Sequence, residues 1–305
     1  MTNNTLATTA LTDQRPGGVA DLQNGPLIRA VNWNLLCGGV DGDSEKRLHA
    51  QGDILAELRP DLLVMPECSW WDEQYNRRLW WMANRLGLIP AAMMPSRVGD
   101  GHNFTTMMYR PSKLTLIGTP DRKATEIFRH VLIRARFRPT GTTDDRHDFL
   151  ALGTHFSHAN GKARLKEACE VTDYGGPFPG TPGRSLLIGD LNCPRMDADP
   201  DWDKVPQNMH ARYRIINPDG TFGGVDVAAM GVLLESGWTD PADTLGITRE
   251  ATVGYYYPNE PVPLHLDHIL TTAGITPRAY ETHDTPTARR NSDHLPTWLD
   301  FQLSA

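Results

Sequence analysis

Apolar runs that end in a single polar group recur along this chain. Residues 27–34, 61–67, 149–155 and 186–192 each read as a buried strand closing on Asn34, Glu67, His155, or Asp190 with Asn192. Residues 103–109, 113–116, 264–270 and 295–299 read as further strands. In 131–137 the alternation is clean, with Val131, Ile133, Ala135 and Phe137 on one face and Arg134 and Arg136 on the other. Helical spacing takes over in 45–58, where Leu48, Ile54, Leu55 and Leu58 share a side, with Asp43 or Ser44 as the expected N-cap and Pro60 beyond the end. Leu79, Met82 and Leu86 predict a second helix in the tryptophan-rich stretch that follows Trp70 and Trp71. Two more are expected over 162–172, capped by Asn160, and over 227–236, ended by Gly237.

Strands interspersed with helices, with no repeat and no internal linker, predict one α/β domain over 26–305 behind a disordered tail over 1–25. The tail is rich in Thr, Asn and Ala and lacks the basic and apolar regions of a secretory signal. No apolar run approaches membrane-spanning length. The four cysteines, Cys37, Cys68, Cys169 and Cys193, have no metal-binding spacing and read as small buried hydrophobes, so a reduced, cytoplasmic setting is expected. No obligate protein partner is expected. A net charge of −7 argues against a protein that coats nucleic acid, but a nuclease with acidic catalytic groups stays open.

Asp190 and Asn192 lie two apart at the end of an apolar run, so both side chains leave the strand on one face. Taken in order, the polar strand ends are Asn34, Glu67, His155, Asp190 with Asn192, Asp267, and Asp293 with His294. In Gly189-Asp190-Leu191-Asn192, in Ser292-Asp293-His294-Leu295-Pro296, in Pro66-Glu67 and in Thr154-His155 the chain resembles the endonuclease/exonuclease/phosphatase superfamily, over about 27–303. That resemblance implies a four-layer α/β sandwich, two mixed β-sheets packed face to face with helices outside, and a Mg²⁺- or Mn²⁺-dependent phosphoesterase. The residue types agree with such a metal, because magnesium takes oxygen ligands and few of them, which Glu67 and Asn34 supply. Zinc would call for His or Cys at short spacing. In this reading Asp190 activates the attacking water, and Asn192 holds that water or a phosphate oxygen. His294, paired with Asp267 or Asp293, and His155 donate hydrogen bonds to phosphoryl oxygens or move a proton. Asp293 is open to a second role in the metal shell. His158, His265 and His268 read as structural.

Substrate stays open among three readings: DNA or RNA, a small metabolite or lipid headgroup ester, and a phosphorylated ligand bound without turnover. A nuclease needs a basic rim, for which Arg77, Arg78, Arg134, Arg136, Arg289 and Arg290 are candidates. Arg289 and Arg290, just before Asp293, are the candidate phosphate clamp.

Overall fold

The computed structural model of the protein describes residues 25–304. The tail expected over 1–25 therefore lies, apart from Gly25, outside the described residues. In chain order the first half contributes β1 (Ile28–Asn32), α1 (Lys46–Leu58), β2 (Leu62–Met65), α2 (Glu73–Leu86), β3 (Ile89–Pro95), β4 (Phe104–Tyr109), β5 (Leu114–Arg122), β6 (Val131–Pro139) and β7 (Phe149–His155). The second half adds α3 (Gly161–Cys169), β8 (Ser185–Asp190), α4 (His210–Tyr213), β9 (Arg214–Ile216), β10 (Phe222–Val225), α5 (Ala228–Glu235), α6 (Pro241–Leu245), β11 (Asp267–Thr271), β12 (Ile275–Thr282), α7 (Pro286–Asn291) and β13 (Thr297–Leu303).

Apart from β9 and β10, which among the described residues pair only with each other, these strands form a six-stranded sheet in the order β12-β13-β1-β2-β4-β3 and a five-stranded sheet in the order β11-β8-β7-β6-β5. Each is mixed: β1 with β2 and β7 with β8 run parallel, and the remaining pairs run antiparallel. Period-two alternation divides the core into layers. Ala30, Leu62 and Val64 face inward to meet Ala151, Leu186 and Ile188 of the other sheet. Their neighbours Val31, Leu63 and Met65 face outward under α1 and α2, against Leu48, Leu55, Leu79 and Met82. On the far side Leu150, Leu152 and Leu187 pack under α3 and α5 against Ala168, Met230 and Leu233. The result is the expected four-layer α/β sandwich. Among the described residues no helix is long and apolar enough to cross a membrane.

Phe149 and Phe301 meet edge to face across the two sheets with centroids 5.7 Å apart. At Gly153 a Cβ would come within 2.8 Å of Met107 Cε and 3.3 Å of Val64 Cγ2, so the two sheets pack closely over this glycine and a side chain there would displace the Met107 methyl.

Several boundaries differ from expectation. Helix α1 has Glu45 at its N-cap with no side-chain cap bond. The nearby Asp41 and Ser44 instead exchange backbone hydrogen bonds of 2.9 and 3.0 Å. Strand β11 starts at Asp267, not at 264, because Leu264 bridges to Val253 outside the sheet. Strands β3, β9, β10 and β12 and helices α6 and α7 were not foreseen. Cys68 and Cys193 are buried as expected, whereas Cys37 and Cys169 are exposed.

Candidate active site

The candidate site lies at the mouth between the two sheets, where the inward-facing rows end. Ile188 and Asp190 share a face of β8, Gly153 and His155 a face of β7, and Ile269 and Asp267 a face of β11. Pairing then sets the three polar ends side by side, since Asp190 is in register with His155 on one flank and with Asp267 on the other. Gly189 makes this approach possible: a Cβ there would stand 2.0 Å from the Thr154 carbonyl oxygen.

The opposing sheet supplies the other half. Asn32, in line with Ala30 on the inner face of β1, donates from Nδ2 to Asp267 Oδ1 at 3.2 Å and ties the sheets together. Two residues on, the Asn34 amide donates to both Glu67 Oε1 and Asp190 Oδ2, each at 3.2 Å. Its oxygen accepts from the Leu36 N–H at 3.1 Å. Glu67 Oε2 accepts from the Cys37 N–H at 3.2 Å. Glu67 and Asn192 have φ of 57° and 50°, a conformation that costs an L-residue about 1–2 kcal/mol. At Glu67 it is held by the Gly38 and Ser69 N–H groups, which donate to its carbonyl at 2.6 and 2.8 Å.

His294 arrives on the turn before β13. The Ser292 hydroxyl donates to the Asn34 carbonyl at 2.7 Å and accepts from the His294 N–H at 3.2 Å. Trp33 Nε1 donates to the His294 carbonyl at 2.8 Å. With its backbone so fixed, His294 places Nδ1 2.7 Å from Asp267 Oδ2. Its Nε2 points back toward Asp190 Oδ2, 3.8 Å away, and His155 Nε2 lies 3.4 Å from the same oxygen. Asp190 Oδ1 accepts from the Asn192 N–H at 2.9 Å.

Burial alone would depress His294, but Asp267 and Asp190 outweigh it and hold the imidazole well above its usual value, as a cation. Burial pushes the Asp190 carboxyl up to about 7, with His294 pulling against it and Asp267 adding to it. Burial, seconded by His294, takes His155 down to about 3. His155 is therefore neutral, and its Nε2 approaches Asp190 Oδ2 as an uncharged ring, 3.4 Å away. The His155 ring stacks on His130, with centroids 3.9 Å apart, and Ser96 Oγ holds His130 Nδ1 at 3.0 Å.

The structure thus gathers Asn34, Glu67, His155, Asp190, Asn192, Asp267, Asp293 and His294 at one mouth. Of the two partners weighed for His294, it is Asp267 that bonds. Asn192 turns its amide toward the Phe156 carbonyl, 3.2 Å away, while Asp293 lines the cavity beside Glu67. The arginines fall elsewhere. Arg289 forms an ion pair with Asp284 at 2.5 Å and lies over the Tyr255 ring. Among the described residues Arg290 reaches only Thr287 within α7, and neither arginine lines the cavity. Arg77 and Arg78 are paired with Glu45, Arg134 with Asp121, and Arg136 with Asp148. His265 and His268 are buried and hydrogen-bonded, as structural residues should be. His158, by contrast, lines the cavity.

That cavity, about 230 Å³, opens directly over Asp190 and His294. Its walls hold residues that sequence reasoning passed over, among them Trp202, Arg212, Tyr213, Tyr256 and Tyr257. Arg212 and Tyr213 close the single turn of α4, Trp202 opens a short 3-10 turn, and Tyr256 and Tyr257 stand on an irregular segment, all too short for a periodic pattern; the consecutive tyrosines at 255–257 were the available signal.

Two sets of side chains could hold a metal ion. Asp190, Asp267 and His294 offer ligand atoms within 4.8 Å of one another, but Asp267 and His294 already share a hydrogen bond at 2.7 Å. Glu67 and Asp293 are oxygen donors that suit a hard cation, and Asn34 would join them with its amide turned, since Nδ2 now faces Glu67 and Asp190 while Oδ1 accepts from the Leu36 N–H. At present the Asn34 amide stands between two carboxylates, the position a cation would favour.

A sandwich of two mixed sheets whose acidic mouth carries a carboxylate–imidazole pair falls in class with the phosphoesterases. Its sequence matches the endonuclease/exonuclease/phosphatase family over residues 31–294. The chain belongs to that family, and with it to the phosphoric ester hydrolases. Among solved structures it is similar to an endonuclease/exonuclease/phosphatase from Beutenbergia cavernae, with a TM-score of 0.62, 14% identity, and 92% of this chain and 72% of that one covered. A family protein from Bacteroides thetaiotaomicron gives a TM-score of 0.60 at 15% identity, covering 92% and 99%. The human Nocturnin catalytic domain with bound sulfate gives 0.59 at 15% identity, covering 91% and 94%. No curated protein sequence matches the chain.

Proposed function

We propose that the protein hydrolyses a phosphate ester at the mouth between the sheets, with Mg²⁺ or Mn²⁺ held by Glu67 and Asn34 and with Asp293 beside them. The observation that carries this reading is the convergence on Asp190 Oδ2, which has Asn34 Nδ2 at 3.2 Å, His155 Nε2 at 3.4 Å and His294 Nε2 at 3.8 Å. When bound, the metal supplies charge neutralisation at the phosphate. Asp190 orients a water and takes its proton as the water oxygen bonds to phosphorus. The imidazolium of His294, kept charged by Asp267, and the neutral N–H of His155 donate to phosphoryl oxygens as negative charge builds on them. The ester P–O bond breaks, and the leaving oxygen takes its proton from solvent. A protein that only bound phosphate would have no use for a buried carboxylate facing that anion, because the two would repel.

Hydrolysis of p-nitrophenyl phosphate and bis(p-nitrophenyl) phosphate, with and without Mg²⁺ or Mn²⁺, tests the proposal. Both Glu67→Ala and His294→Ala should abolish metal-dependent turnover. Wild-type rates in the two variants would overturn the assignment.

A further inference from the structure

Two segments that belong to neither large sheet rise beside the mouth. One runs from Trp202 to Tyr213 and the other from Val253 to Leu264. Arg212 and Glu260 join them through an ion pair of 2.7 Å. The second segment is folded back on itself: the Thr252 and Val253 N–H groups donate to the Leu264 carbonyl at 2.9 and 3.1 Å. Gly254, at φ 96°, lies so close to that return strand that a Cβ would stand 2.2 Å from the Val262 carbonyl oxygen. Tyr255 pins it to the site by donating to the Ser292 carbonyl at 2.8 Å, one residue before Asp293. These ties make a built wall of the segment.

The walls present rings. Trp202, Tyr213, Tyr256 and Tyr257 line the cavity above Asp190 and His294. Tyr256 and Tyr257 stand edge to face at 4.8 Å, and the Arg214 guanidinium, 5.0 Å from the Trp202 ring, braces that side from behind. Apolar Val205, Met209 and Leu264 fill the gaps. About 230 Å³ is room for a phosphate with one ring. Charge points the same way. A nucleic-acid backbone needs several unpaired cations along its track, whereas five of the six arginines considered for a basic rim, at 77, 78, 134, 136 and 289, are each paired with a carboxylate, and none of the six lines the cavity, in a chain of net charge −7.

We infer that the substrate is a small phosphate ester whose leaving group carries a flat ring, of aryl or single-nucleotide size. The ring lies between the 202–213 and 253–264 walls while the phosphate sits on Asp190, His155 and His294. This deepens the hydrolase reading and rests on it for the position of the phosphate. Face contacts with Trp and Tyr select the ring, and the tied walls exclude a continuous double strand.

Binding separates ring selection from turnover. Phenylphosphonate and methylphosphonate, which cannot be hydrolysed, are titrated by calorimetry into the full-length protein in Mg²⁺. The wild type should bind phenylphosphonate at least about tenfold more tightly. Trp202→Ala should bring the ratio toward one. Tyr257→Ala should do the same, and because that side chain is exposed its removal opens no cavity in the core. Equal affinities in the wild type, or an unchanged ratio in both variants, would overturn the inference, as would cleavage of internal bonds in long duplex DNA. Tighter phenylphosphonate binding without turnover of any ester would support ring selection while overturning the hydrolase reading.

Discussion

Asp267 Oδ2 lies 2.7 Å from His294 Nδ1, the first at the start of β11 in one sheet and the second on the turn that leads into β13 of the other. The carboxylate fixes which imidazole nitrogen faces the cavity and keeps the ring charged. Asp267→Asn preserves the shape but removes the charge that holds His294 up. Turnover of a nitrophenyl ester should fall by roughly 10²–10⁴-fold. Any residual activity should lose its alkaline limb at lower pH, because a less basic imidazole gives up its proton sooner. A pH–rate profile of the purified variant checks both.

Glu67→Gln keeps the backbone bonds around residue 67 and removes one negative charge from the oxygen donor set. Mg²⁺ or Mn²⁺ affinity, read by calorimetry, should weaken by at least about tenfold, in line with the loss seen when even the outer partners of a metal site are altered. The thermal midpoint without metal should barely move.

Gly189→Ala tests the approach of β8 to β7. With a Cβ placed 2.0 Å from a backbone oxygen, the sheet has no flexible group that can yield. A loss of about 3 kcal/mol in urea unfolding is expected, along with loss of activity as Asp190 moves.

His130 and His155 are stacked, and burial takes their pKa values down to about 2 and about 3. Both stay neutral in the folded protein while the unfolded chain takes up protons below about 6.5. Stability is therefore unaffected above that pH and is lost as pH falls toward 3, by about 1.4 kcal/mol per pH unit for each histidine. His130→Phe, which keeps a ring against His155, should reduce that slope by one histidine's share in urea titrations at pH 6.5, 6.0 and 5.5.

Arg289→Ala should leave turnover within about twofold and stability within about 1 kcal/mol, because its partner Asp284 is itself partly exposed. A large rise in KM would instead return Arg289 to the phosphate.

Much of this site was legible because a strand delivers its polar end group to the face its alternation dictates. That holds for His155 and Asp190, whose apolar runs are unbroken, and for Glu67 just past β2. The residues that escaped obey no such period. Asn32 looked like an ordinary strand residue until the opposite sheet brought Asp267 to it. Strand β12 carries Pro277 and Arg278 and shows one face to water, so its alternation is faint. Arg289 and Arg290 read as a phosphate clamp, although Thr285 and Pro286 spell the start of a helix that carries them, with Thr285 Oγ1 accepting from the Ala288 N–H at 3.1 Å. The cavity walls depend on long-range ties such as Arg212 to Glu260, which no local pattern announces.

The pairing of Asp190 with both His155 and Asp267 has a consequence for folding fidelity. If β11 slipped by one residue against β8, Asp267 would turn to the outer face, His268 would replace it, and Ile269 and Leu270 would exchange layers, one apolar side chain for another. Such a molecule would be compact and silent. Specific activity per folded molecule is thus a vernier on strand alignment, sensitive to an error that circular dichroism or a melting curve would pass over.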